Sequence, residues 1–547
     1  MIEMSEYDPT EYRRYFESEC TYLAGFWRNT HRFPDNPAII DPETGMNLSY
    51  AELGEQVRLL ASGLAEAGVR PGDVVVYQLY NSSAFALLYL ATQACGAIGS
   101  PVNFRLAPGE TASVLEQSRP AAFLFDAELA GQARAALDRS AHRPGLVVTV
   151  GEPVAPGSTA FGALFAARAG TLPGTASVYS ETTRLYTSGT TGMPKGVPLP
   201  SLVELFSAHD VIMHFPLGPA DRTLNMTPWF HRGGLYAGGP NPAFYTGASV
   251  LPMRAFDPGR CLDLVASAGL TFLIGAPTNL AMLAAAQTER PRDLSTLRGV
   301  VTMGAPLERE ACLHYQEVLS ARVFNGYGTT EAFWNTFLRP EDLPDHAGSA
   351  GRACTDDDVA VVRVHPDRFA APEEHVAKDG QEVGEVIVRS PKCGFAYAGD
   401  PGQQAEKFHD GWLYIGDLAT WDEHEYLTIV GRKDDMIVSG GENVHPVQVE
   451  EALNEHPGIT DSLVIAVPDP KWGHRVVAYI ERARPDCTAA ECDRHCRAHP
   501  MLADYKRPRA YRFVDSLPRT ATGKKIHYRA REQAETEYSQ GRFEDVD

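Results

Sequence analysis

The sequence lacks the features of membrane and secreted proteins. Its longest apolar stretch, residues 84–96, is too short to cross a bilayer. Residues 1–19 alternate acidic and basic side chains and contain no apolar segment of the kind found in signal peptides. The nine cysteines are odd in number and widely spaced, which indicates reduced thiols rather than a disulfide framework. We therefore expect a cytoplasmic protein without a membrane span.

Positive charge is also scarce. Lys and Arg total 49 against 70 Asp and Glu, so the formal net charge is −21. This balance argues against a nucleic-acid partner, and a nucleotide substrate would need a locally positive site. Hydrophobic residues make up 44% and charged residues 22%, which are globular proportions. The 547 residues are enough for several structural units of about 150 residues each.

One cluster near the C-terminus suggests a metal site, formed by Cys487, Cys492, His495, Cys496 and His499. Zinc is one interpretation, because thiolates and imidazoles are its usual ligands. The alternative is a charged surface helix that carries incidental thiols. We favour the helix, since the paired CxxC spacing of zinc knuckles is absent.

The first 350 residues alternate between short apolar runs and helical patterns. Buried strands are predicted at 73–79, 120–125, 145–149, 248–252, 271–275, 298–303 and 321–325. Helices are predicted between many of them, at 50–67, 83–95, 261–268, 279–287 and 308–319. This alternation indicates an α/β fold, with parallel sheets that carry helices on both faces.

After about residue 350 the pattern changes. Segments 358–364 and 384–389 are typical of antiparallel sheet or barrel strands. From residue 434 the chain predicts a small α+β domain, with helices at 446–454 and 488–498 and strands at 459–467, 475–481 and 510–514. The predicted domains are therefore 1–433 and 434–547, and the short charged junction 431–435 is a candidate hinge.

The sharpest local signal is a loop rich in glycine and hydroxyl side chains. Residues 186–196 read YTSGTTGMPKG. Glycines let backbone N–H groups approach an anion, hydroxyls add donors, and Lys195 adds a positive charge. The spacing is not that of a Walker loop, and Pro194 precedes the lysine. We interpret the loop as a phosphate-binding site rather than a flexible linker.

This loop resembles the phosphate-binding loop of the adenylate-forming superfamily, which includes acyl-CoA synthetases, luciferases and peptide-synthetase adenylation domains. Further segments resemble its motifs in chain order, at 325–331 (NGYGTTE), 414–417 (YIGD), 431–443 (GRKDDMIVSGGEN) and 518–524 (PRTATGK). Three stretches most closely resemble the C-terminal domain of the 4-chlorobenzoate–CoA ligases, namely 431–450 (GRKDDMIVSGGENVHPVQVE), 469–476 (DPKWGHRV) and 502–509 (LADYKRPR). The resemblance implies a large N-terminal domain of two doubly wound βα subdomains plus a small β-barrel-like subdomain, followed by a small mobile α+β domain.

The resemblance also implies a Mg·ATP site. Tyr327 would stack on adenine, Thr330 would contact the α-phosphate, and Glu331 would hold Mg²⁺. Asp417 would bind the ribose hydroxyls, and Lys524 would be the catalytic lysine, although Lys525 follows it directly. The implied nucleotide-binding residues are Thr187, Ser188, Gly189, Thr190, Thr191, Gly192, Lys195, Tyr327, Gly328, Thr329, Thr330, Asp417 and Arg432. Asp434 would be the hinge pivot.

Coenzyme A is the implied second substrate. The implied contacts are Gly440, Gly441, Glu442, Trp472, Tyr505, Arg507 and Arg509. The residues themselves agree with this, because 506–509 (KRPR) is a basic cluster on an acidic chain. A solvated basic loop is the alternative interpretation.

The acyl pocket is expected at Trp229, His231, Arg232, Gly233, Ala276, Gly304 and Ala305. His231 would orient the carboxylate or gate the thiol tunnel, unless it is a structural histidine. Arg232 could face inward and pair with a second carboxylate, but we expect it to point outward into solvent. The small and aromatic side chains favour an aromatic, alicyclic or medium-chain acid.

The sequence therefore predicts an AMP-forming carboxylic acid–CoA ligase that uses ATP, Mg²⁺ and CoA. The first alternative is an adenylating enzyme that loads a carrier protein. A second alternative is a non-catalytic nucleotide-binding protein, which the presence of Lys524, Glu331 and the phosphate loop argues against. The expected partner is a small carboxylic acid, and a monomer and a homodimer remain equally open.

Overall fold

The computed structural model describes residues 8–546 except 167, 189–193, 366–367, 400, 440–441, 471, 500–501, 503, 520–522 and 524. At 188, 403, 434, 438, 442, 443 and 528 it describes the backbone alone. The chain divides into two compact units. The first unit is Met1–Asp358 with Val388–Leu413, and the second is Val359–Ile387 with Tyr414–Asp547. The boundary at 433/434 stays a prediction.

The first unit contains a seven-stranded sheet. Its strands follow the order Thr159–Ala160, Leu146–Val150, Ala122–Asp126, Val74–Gln78, Ile98–Pro101, Glu181–Ser188 and Pro194–Pro200. The first six strands pair in parallel, and the last pair is antiparallel. Its strands are largely buried on both faces, as expected when helices cover a parallel sheet.

A second sheet in the first unit has nine strands. Their order is Arg352–Ala353, Phe333–Leu338, Val323–Thr329, Gly299–Met303, Phe272–Gly275, Arg222–Asn225, Ser249–Val250, Pro37–Ile40 and Asn47–Ser49. Five neighbouring pairs in the middle run parallel. The two predicted doubly wound sheets are therefore confirmed.

Helices connect and cover these strands. They are Thr10–Glu19, Tyr22–Arg32, Tyr50–Glu66, Ser83–Ala94, Pro108–Ser118, Ala130–Arg139, Ser201–His214, Arg232–Tyr236, Pro240–Thr246, Pro258–Ala268, Pro277–Glu289, Arg309–Val318 and Pro401–Lys407. Several start at side-chain caps that the sequence encodes. Ser49 accepts a hydrogen bond from the Glu52 amide and the Glu52 carboxylate accepts one from the Ser49 amide, which fixes the start of a long buried helix.

A five-stranded sheet follows in the order Asp358–Val362, Gly384–Arg389, Trp412–Trp421 and Phe408–His409, with Leu427–Arg432 also paired to Trp412–Trp421. Two short strands, Ile437–Ser439 and Glu442–Val444, form a ribbon. The C-terminal sheet has the order Ile459–Asp469, Gly473–Arg482, Ala510–Val514 and Glu544–Asp545, with helices Pro446–Asn454, Ala489–Ala498 and His527–Ser539. The predicted small α+β region is confirmed.

Short 3-10 helices occupy Ala127–Leu129, Phe161–Leu164, Pro340–Asp342, Lys433–Asp435 and Asp504–Lys506. Across the part of the chain that the structure describes, the helices are too short or too polar to cross a bilayer.

Candidate active site

The phosphate loop connects two strands at the edge of the first sheet. Glu181–Ser188 and Pro194–Pro200 pair in antiparallel fashion, with Thr187 opposite Lys195. Lys195 is half-buried at this position. Gly189, Thr190, Thr191 and Gly192 lie outside the described residues, as does the side chain of Ser188. The strand register therefore places Lys195 directly after the segment that is predicted to bind phosphate.

The second predicted motif is a tight turn at the end of a central strand. Val323–Thr329 runs into a turn and returns as Phe333–Leu338, so the strand continues beyond residue 325, where the sequence predicted its end. A Cβ at Gly328 would lie 1.5 Å from the Phe333 carbonyl oxygen, so only glycine fits. Phe333 has φ +60°. This left-handed conformation costs a residue with a side chain about 1–2 kcal/mol.

Glu331 lies in this turn and is half-buried. The Tyr397 hydroxyl donates a hydrogen bond to Glu331 Oε1 at 2.6 Å. A second carboxylate oxygen, Oε2, is then the atom suited to a metal. Mg²⁺ prefers such hard oxygen ligands, so this residue fits the predicted ion.

The predicted acyl pocket lies at the carboxyl ends of adjacent parallel strands. Arg222–Asn225, Phe272–Gly275 and Gly299–Met303 are neighbours, and they lead into 226–233, Ala276 and Gly304. The Met303 Sδ lies 3.0 Å from the position that a Cβ atom on Gly233 would occupy. Gly233 therefore contacts the end of the strand Gly299–Met303. Ligands bind at this end of open α/β sheets. The location therefore agrees with a substrate site.

Trp229 and His231 begin this region. Trp229 is fully buried, packs edge-on against Phe85 and donates its amide hydrogen to Asn81 Oδ1 at 2.8 Å. The His231 ring lies 4.2 Å from that of Phe230. Burial, and to a lesser extent the charge of Arg105, lowers the pKa of His231 to about 4. The imidazole is therefore neutral near pH 7.

The expectation that Arg232 points into solvent is wrong. Its side chain is only 3% exposed. Nη1 donates to the Thr330 carbonyl at 2.8 Å, and Nη2 donates to Ser207 Oγ and to the Lys392 carbonyl, both at 3.1 Å. The guanidinium is thus bound to the backbone of the Thr330–Glu331 turn. Its acceptors come from three segments that are distant in the sequence.

The predicted ribose contacts lie in the second unit. Asp417 and Arg432 are opposite each other on the paired strands Trp412–Trp421 and Leu427–Arg432. Asp417 Oδ1 and Arg432 Nη1 are 3.1 Å apart. The predicted nucleotide residues thus form two groups, one in each unit. The predicted hinge residue Asp434 has its backbone in the 3-10 helix Lys433–Asp435, and its side chain lies outside the description.

Lys524 lies outside the described residues, but its neighbour Lys525 does not. The Lys525 ammonium lies 2.6 Å from Glu450 and 3.2 Å from Asp461, and it donates to the Ser462 carbonyl at 2.7 Å. Burial alone would lower the pKa of Lys525, but these carboxylates raise it. Lys525 is therefore a charged anchor inside the second unit.

The predicted CoA contacts differ in their surroundings. Trp472 is 47% exposed and Tyr505 is 42% exposed. Arg507 is buried and forms ion pairs with Asp493 and Asp504, whereas Arg509 is more accessible. Gly440, Gly441 and the Glu442 side chain lie outside the described residues.

The proposed cysteine–histidine cluster forms part of a packed core. Cys487, Cys492 and Cys496 are buried, and the first two sulfurs are 3.8 Å apart. His495 Nε2 lies 2.7 Å from the Ala452 carbonyl oxygen, and His499 Nε2 lies 2.9 Å from Glu455. Imidazoles with these partners are directed away from a shared ion. The helix interpretation is therefore supported, with Cys492 and Cys496 on the buried face of Ala489–Ala498 and Cys487 just before its start.

Two family models match the chain in order. The AMP-binding enzyme model matches residues 26–397, and the model of the AMP-binding enzyme C-terminal domain matches residues 448–524. The chain belongs to the AMP-binding enzyme family. The predicted adenylate-forming superfamily is thereby confirmed.

Relatives of this AMP-binding enzyme span nearly its whole length. A feruloyl-CoA synthase from Amycolatopsis sp is 34% identical over 88% of this chain and 92% of its own. The fatty acid–[acyl-carrier-protein] ligase ScoC of Streptomyces coeruleorubidus is 30% identical over 91% of this chain and 94% of its own. The crystal structure of the anthranilate CoA ligase AuaEII with anthranoyl-AMP has a TM-score of 0.85, at 25% identity over 95% and 98% of the two chains.

Two residues of this AMP-binding enzyme were missed by sequence reasoning. Tyr397 binds Glu331 from a segment with no motif of its own in the sequence analysis. Lys392 is 1% exposed, and its ammonium lies 3.0 Å from Asp210 and 2.9 Å from Asp357. A lysine is normally a surface residue, so its burial depends on carboxylates that are distant in sequence.

Proposed function

We propose that the protein is an AMP-forming carboxylic acid–CoA ligase. The observation that carries the proposal is the match of both family models in chain order, because it includes the phosphate loop, the Glu331 turn and the lysine segment. The acid–CoA ligases among the relatives support the same reaction class. A cytoplasmic location, a boundary between domains at 433/434 and a mobile C-terminal domain complete the proposal.

The chemistry proceeds in two steps. The substrate carboxylate attacks the α-phosphorus of ATP, so a carboxyl O–P bond forms while the bond to pyrophosphate breaks. The thiol of CoA then attacks the acyl carbonyl, a C–S bond forms, and AMP leaves with the electron pair of the broken C–O bond. The first step brings negative oxygens together, so the site must supply positive charge and positioning.

Residues of this chain would meet these needs. Lys195 and the hydroxyls of the phosphate loop would hold the phosphates, and Tyr327 would pack on adenine. Thr330 would contact the α-phosphate, and Asp417 would bind ribose. Glu331 would hold Mg²⁺, which supplies charge neutralisation at the phosphate oxygens when it is bound. His231, as a neutral imidazole, would orient the carboxylate without adding charge beside it.

Lys524 is the proposed catalytic lysine. The contacts of Lys525 support this choice, because its ammonium is bound by Glu450 and Asp461 and serves as an anchor. Lys524 is then the lysine available to the transferring phosphoryl group.

We predict that Lys524→Ala lowers the rate of pyrophosphate release by at least about 100-fold, because a charge at the transition state is lost. Thioester formation from supplied acyl-adenylate should change by less than about 5-fold. Both rates are measured by rapid quench. The control is Lys378→Ala, which removes a surface ion pair with Glu425. Equal loss of both steps in Lys524→Ala contradicts the assignment.

Free CoA is the proposed thiol substrate. Exposed Trp472 and Tyr505 would pack on its nucleotide, and Arg509 would bind its phosphates. The carrier-protein alternative has support in the similarity to ScoC. Purified protein incubated with ATP, an acid and either CoA or a phosphopantetheinyl carrier protein distinguishes them. Detection of acyl-CoA by mass spectrometry supports the proposal, whereas acylation of the carrier protein without acyl-CoA formation contradicts it.

The acyl substrate is proposed to be an aromatic, alicyclic or medium-chain acid. Buried apolar side chains such as Trp229, Met303 and Phe333 lie near the carboxyl ends of the strands, and an apolar lining there would favour an apolar acid. A panel of carboxylic acids, from acetate to cinnamates and fused-ring acids, assayed for CoA-dependent AMP release tests this. Preference for acetate contradicts it.

A further inference from the structure

The turn that carries Glu331 needs support from outside itself. Phe333 lies two residues after the carboxylate with φ +60°, a conformation that bulky residues rarely adopt. Ala332 donates its amide hydrogen to Thr329 Oγ1 at 3.3 Å, which is a local contact within the turn. Strained backbone persists when the surrounding structure determines it, and such strain clusters at functional sites.

Arg232 supplies one part of that support. Its guanidinium reaches the Thr330 carbonyl at 2.8 Å and the Lys392 carbonyl at 3.1 Å, so it joins the turn to segment 390–398. It also lies over the Phe333 ring, 5.6 Å from the centroid. Arginine suits this position, because its planar fork donates in several directions at once.

Segment 390–398 is itself fixed by Lys392. The buried ammonium lies between Asp210 and Asp357, and Asp357 also accepts a hydrogen bond from Asn335 at 3.0 Å. Asp210, His214 and Cys354 could offer ligand atoms to a metal. Lys392 already supplies the positive charge at Asp210, so Asp210 and Asp357 anchor the lysine. Burial lowers the pKa of Lys392, but Cys354 and the carboxylates of Asp210 and Asp357 raise it above its usual value.

Tyr397 lies near the C-terminal end of segment 390–398, whereas Lys392 lies near its start. Its side chain is buried, and its hydroxyl donates to Glu331 Oε1 at 2.6 Å. The next amide, that of Ala398, donates to the Gly196 carbonyl at 2.8 Å, directly after Lys195 of the phosphate loop. One segment therefore contacts both the carboxylate and the strand that leaves the phosphate loop.

We propose that Tyr397 and Arg232 are positioning residues for the metal–nucleotide site, and that segment 390–398 holds Glu331 in register with the phosphate loop. Tyr397 fixes the carboxylate through Oε1 and directs Oε2 toward Mg²⁺. Arg232 fixes the backbone of the turn through its hydrogen bond to the Thr330 carbonyl. This rests on the proposed function in one respect, namely that Glu331 binds the metal of Mg·ATP.

The test compares Tyr397→Phe with the wild-type full-length protein. Binding of Mn²⁺ in the presence of a non-hydrolysable ATP analogue is measured by electron paramagnetic resonance. We expect the Mn²⁺ affinity to fall by about 10-fold, the low end of the effect of removing a partner of a metal ligand. The Mg²⁺ concentration for half-maximal pyrophosphate release should rise to a similar extent, while thioester formation from supplied acyl-adenylate stays unchanged.

Tyr479→Phe is the matched control. Tyr479 is also buried, and its hydroxyl donates to Glu537 at 2.6 Å in the second unit. Both variants should lower the melting temperature to a similar extent, but only Tyr397→Phe should weaken Mn²⁺ binding. Arg232→Lys is a second variant. It keeps the positive charge but loses the planar guanidinium with its several N–H donors, so it should also weaken Mn²⁺ binding.

Wild-type Mn²⁺ affinity in folded Tyr397→Phe overturns the inference, as does an equal loss in Tyr479→Phe. If Arg232→Lys does not fold, the result for Tyr397→Phe decides. The proposed function fails separately, if the wild-type protein releases no pyrophosphate with any acid. The Mn²⁺ measurement still reports on Tyr397 in that case, because it requires no turnover.

Discussion

His231 is a histidine whose surroundings decide its charge. An exposed imidazole has a pKa of about 6.5, whereas burial lowers that of His231 to about 4. The protonated form is then absent from the folded protein at neutral pH. In the proposed role beside the reacting carboxylate, a neutral ring would donate or accept a hydrogen bond without forming an ion pair that weakens the nucleophile.

We predict that His231 contributes no ionisation to the pH profile of adenylation between about pH 5.5 and 8, since it titrates below this range. The measurement is the rate of pyrophosphate release against pH, together with an NMR titration of the imidazole signals. His231→Asn identifies its resonance by difference. A transition near pH 6.5 that disappears in His231→Asn contradicts the prediction.

At single positions the sequence predicted which residues belong to the candidate site better than it predicted where their side chains point. The motif at 325–331 predicted Glu331 as a metal ligand, and the structure places this residue in a turn that the sequence did not predict. Arg232 was expected in solvent, where arginine side chains mostly lie. Its acceptors come from Ser207, Thr330 and Lys392, which are distant in the sequence. Contacts of this kind depend on the folded chain, so a local pattern does not reveal them.

Ion pairs connect the short segments on either side of Lys524, the proposed catalytic lysine, to the C-terminal sheet. Asp461, on strand Ile459–Asp469, pairs with both Arg519 and Lys525, and Arg519 donates to the Gly523 carbonyl at 3.1 Å. The residues on both sides of Lys524 are therefore connected to the C-terminal sheet. Burial would raise the pKa of Asp461, but Lys525 and Arg519 lower it, so the carboxylate stays charged.

Asp461→Asn should slow pyrophosphate release by about 10- to 100-fold, because small displacements of a catalytic group have effects of this size. Thioester formation from supplied acyl-adenylate should be affected much less. The control is Asp486→Asn, which breaks an exposed pair with Arg484 in the same unit. Both half-reactions are followed by rapid quench. Parallel losses in the two steps would indicate general destabilisation instead.

Element prediction succeeded where apolar residues formed a continuous run, and it failed where polar residues interrupt a strand, as in Phe333–Leu338 and Trp412–Trp421. Val74–Gln78 and Gly299–Met303 were predicted within about two residues, since they are continuous buried runs. Arg222–Asn225 was missed, because four residues with two polar ends give no periodic pattern. The helix His527–Ser539 was missed as well, and its charged sequence offers only a weak apolar stripe.

The whole molecule consists of two units whose chain segments interleave. Residues 359–387 group with the C-terminal part because their strands pair in one sheet with Trp412–Trp421. Strand pairing between distant segments is not visible in local sequence patterns. The order of five motifs was visible, and it was sufficient to predict the family and the class of reaction.

The proposed rotation between the two half-reactions pivots at Asp434. We predict that Asp434→Pro impairs thioester formation by more than about 10-fold and adenylation by less, because proline fixes φ at this position. Single-turnover measurements of each half-reaction test this. Asp434→Ala, which removes the side chain without fixing the backbone, should retain both rates. Full activity of the proline variant in both steps refutes the pivot.

The distribution of thiols makes such a motion measurable. Eight of the nine cysteines are buried, and Cys20 is partly accessible. Burial also raises the pKa of several of these thiols, Cys95 to about 11 among them, so they react slowly with maleimides. Replacing Cys20 alone should therefore give a protein whose native thiols are hardly labelled by maleimides. Fluorophores attached at two introduced cysteines, one in each unit, could then follow the catalytic cycle by energy transfer in single molecules.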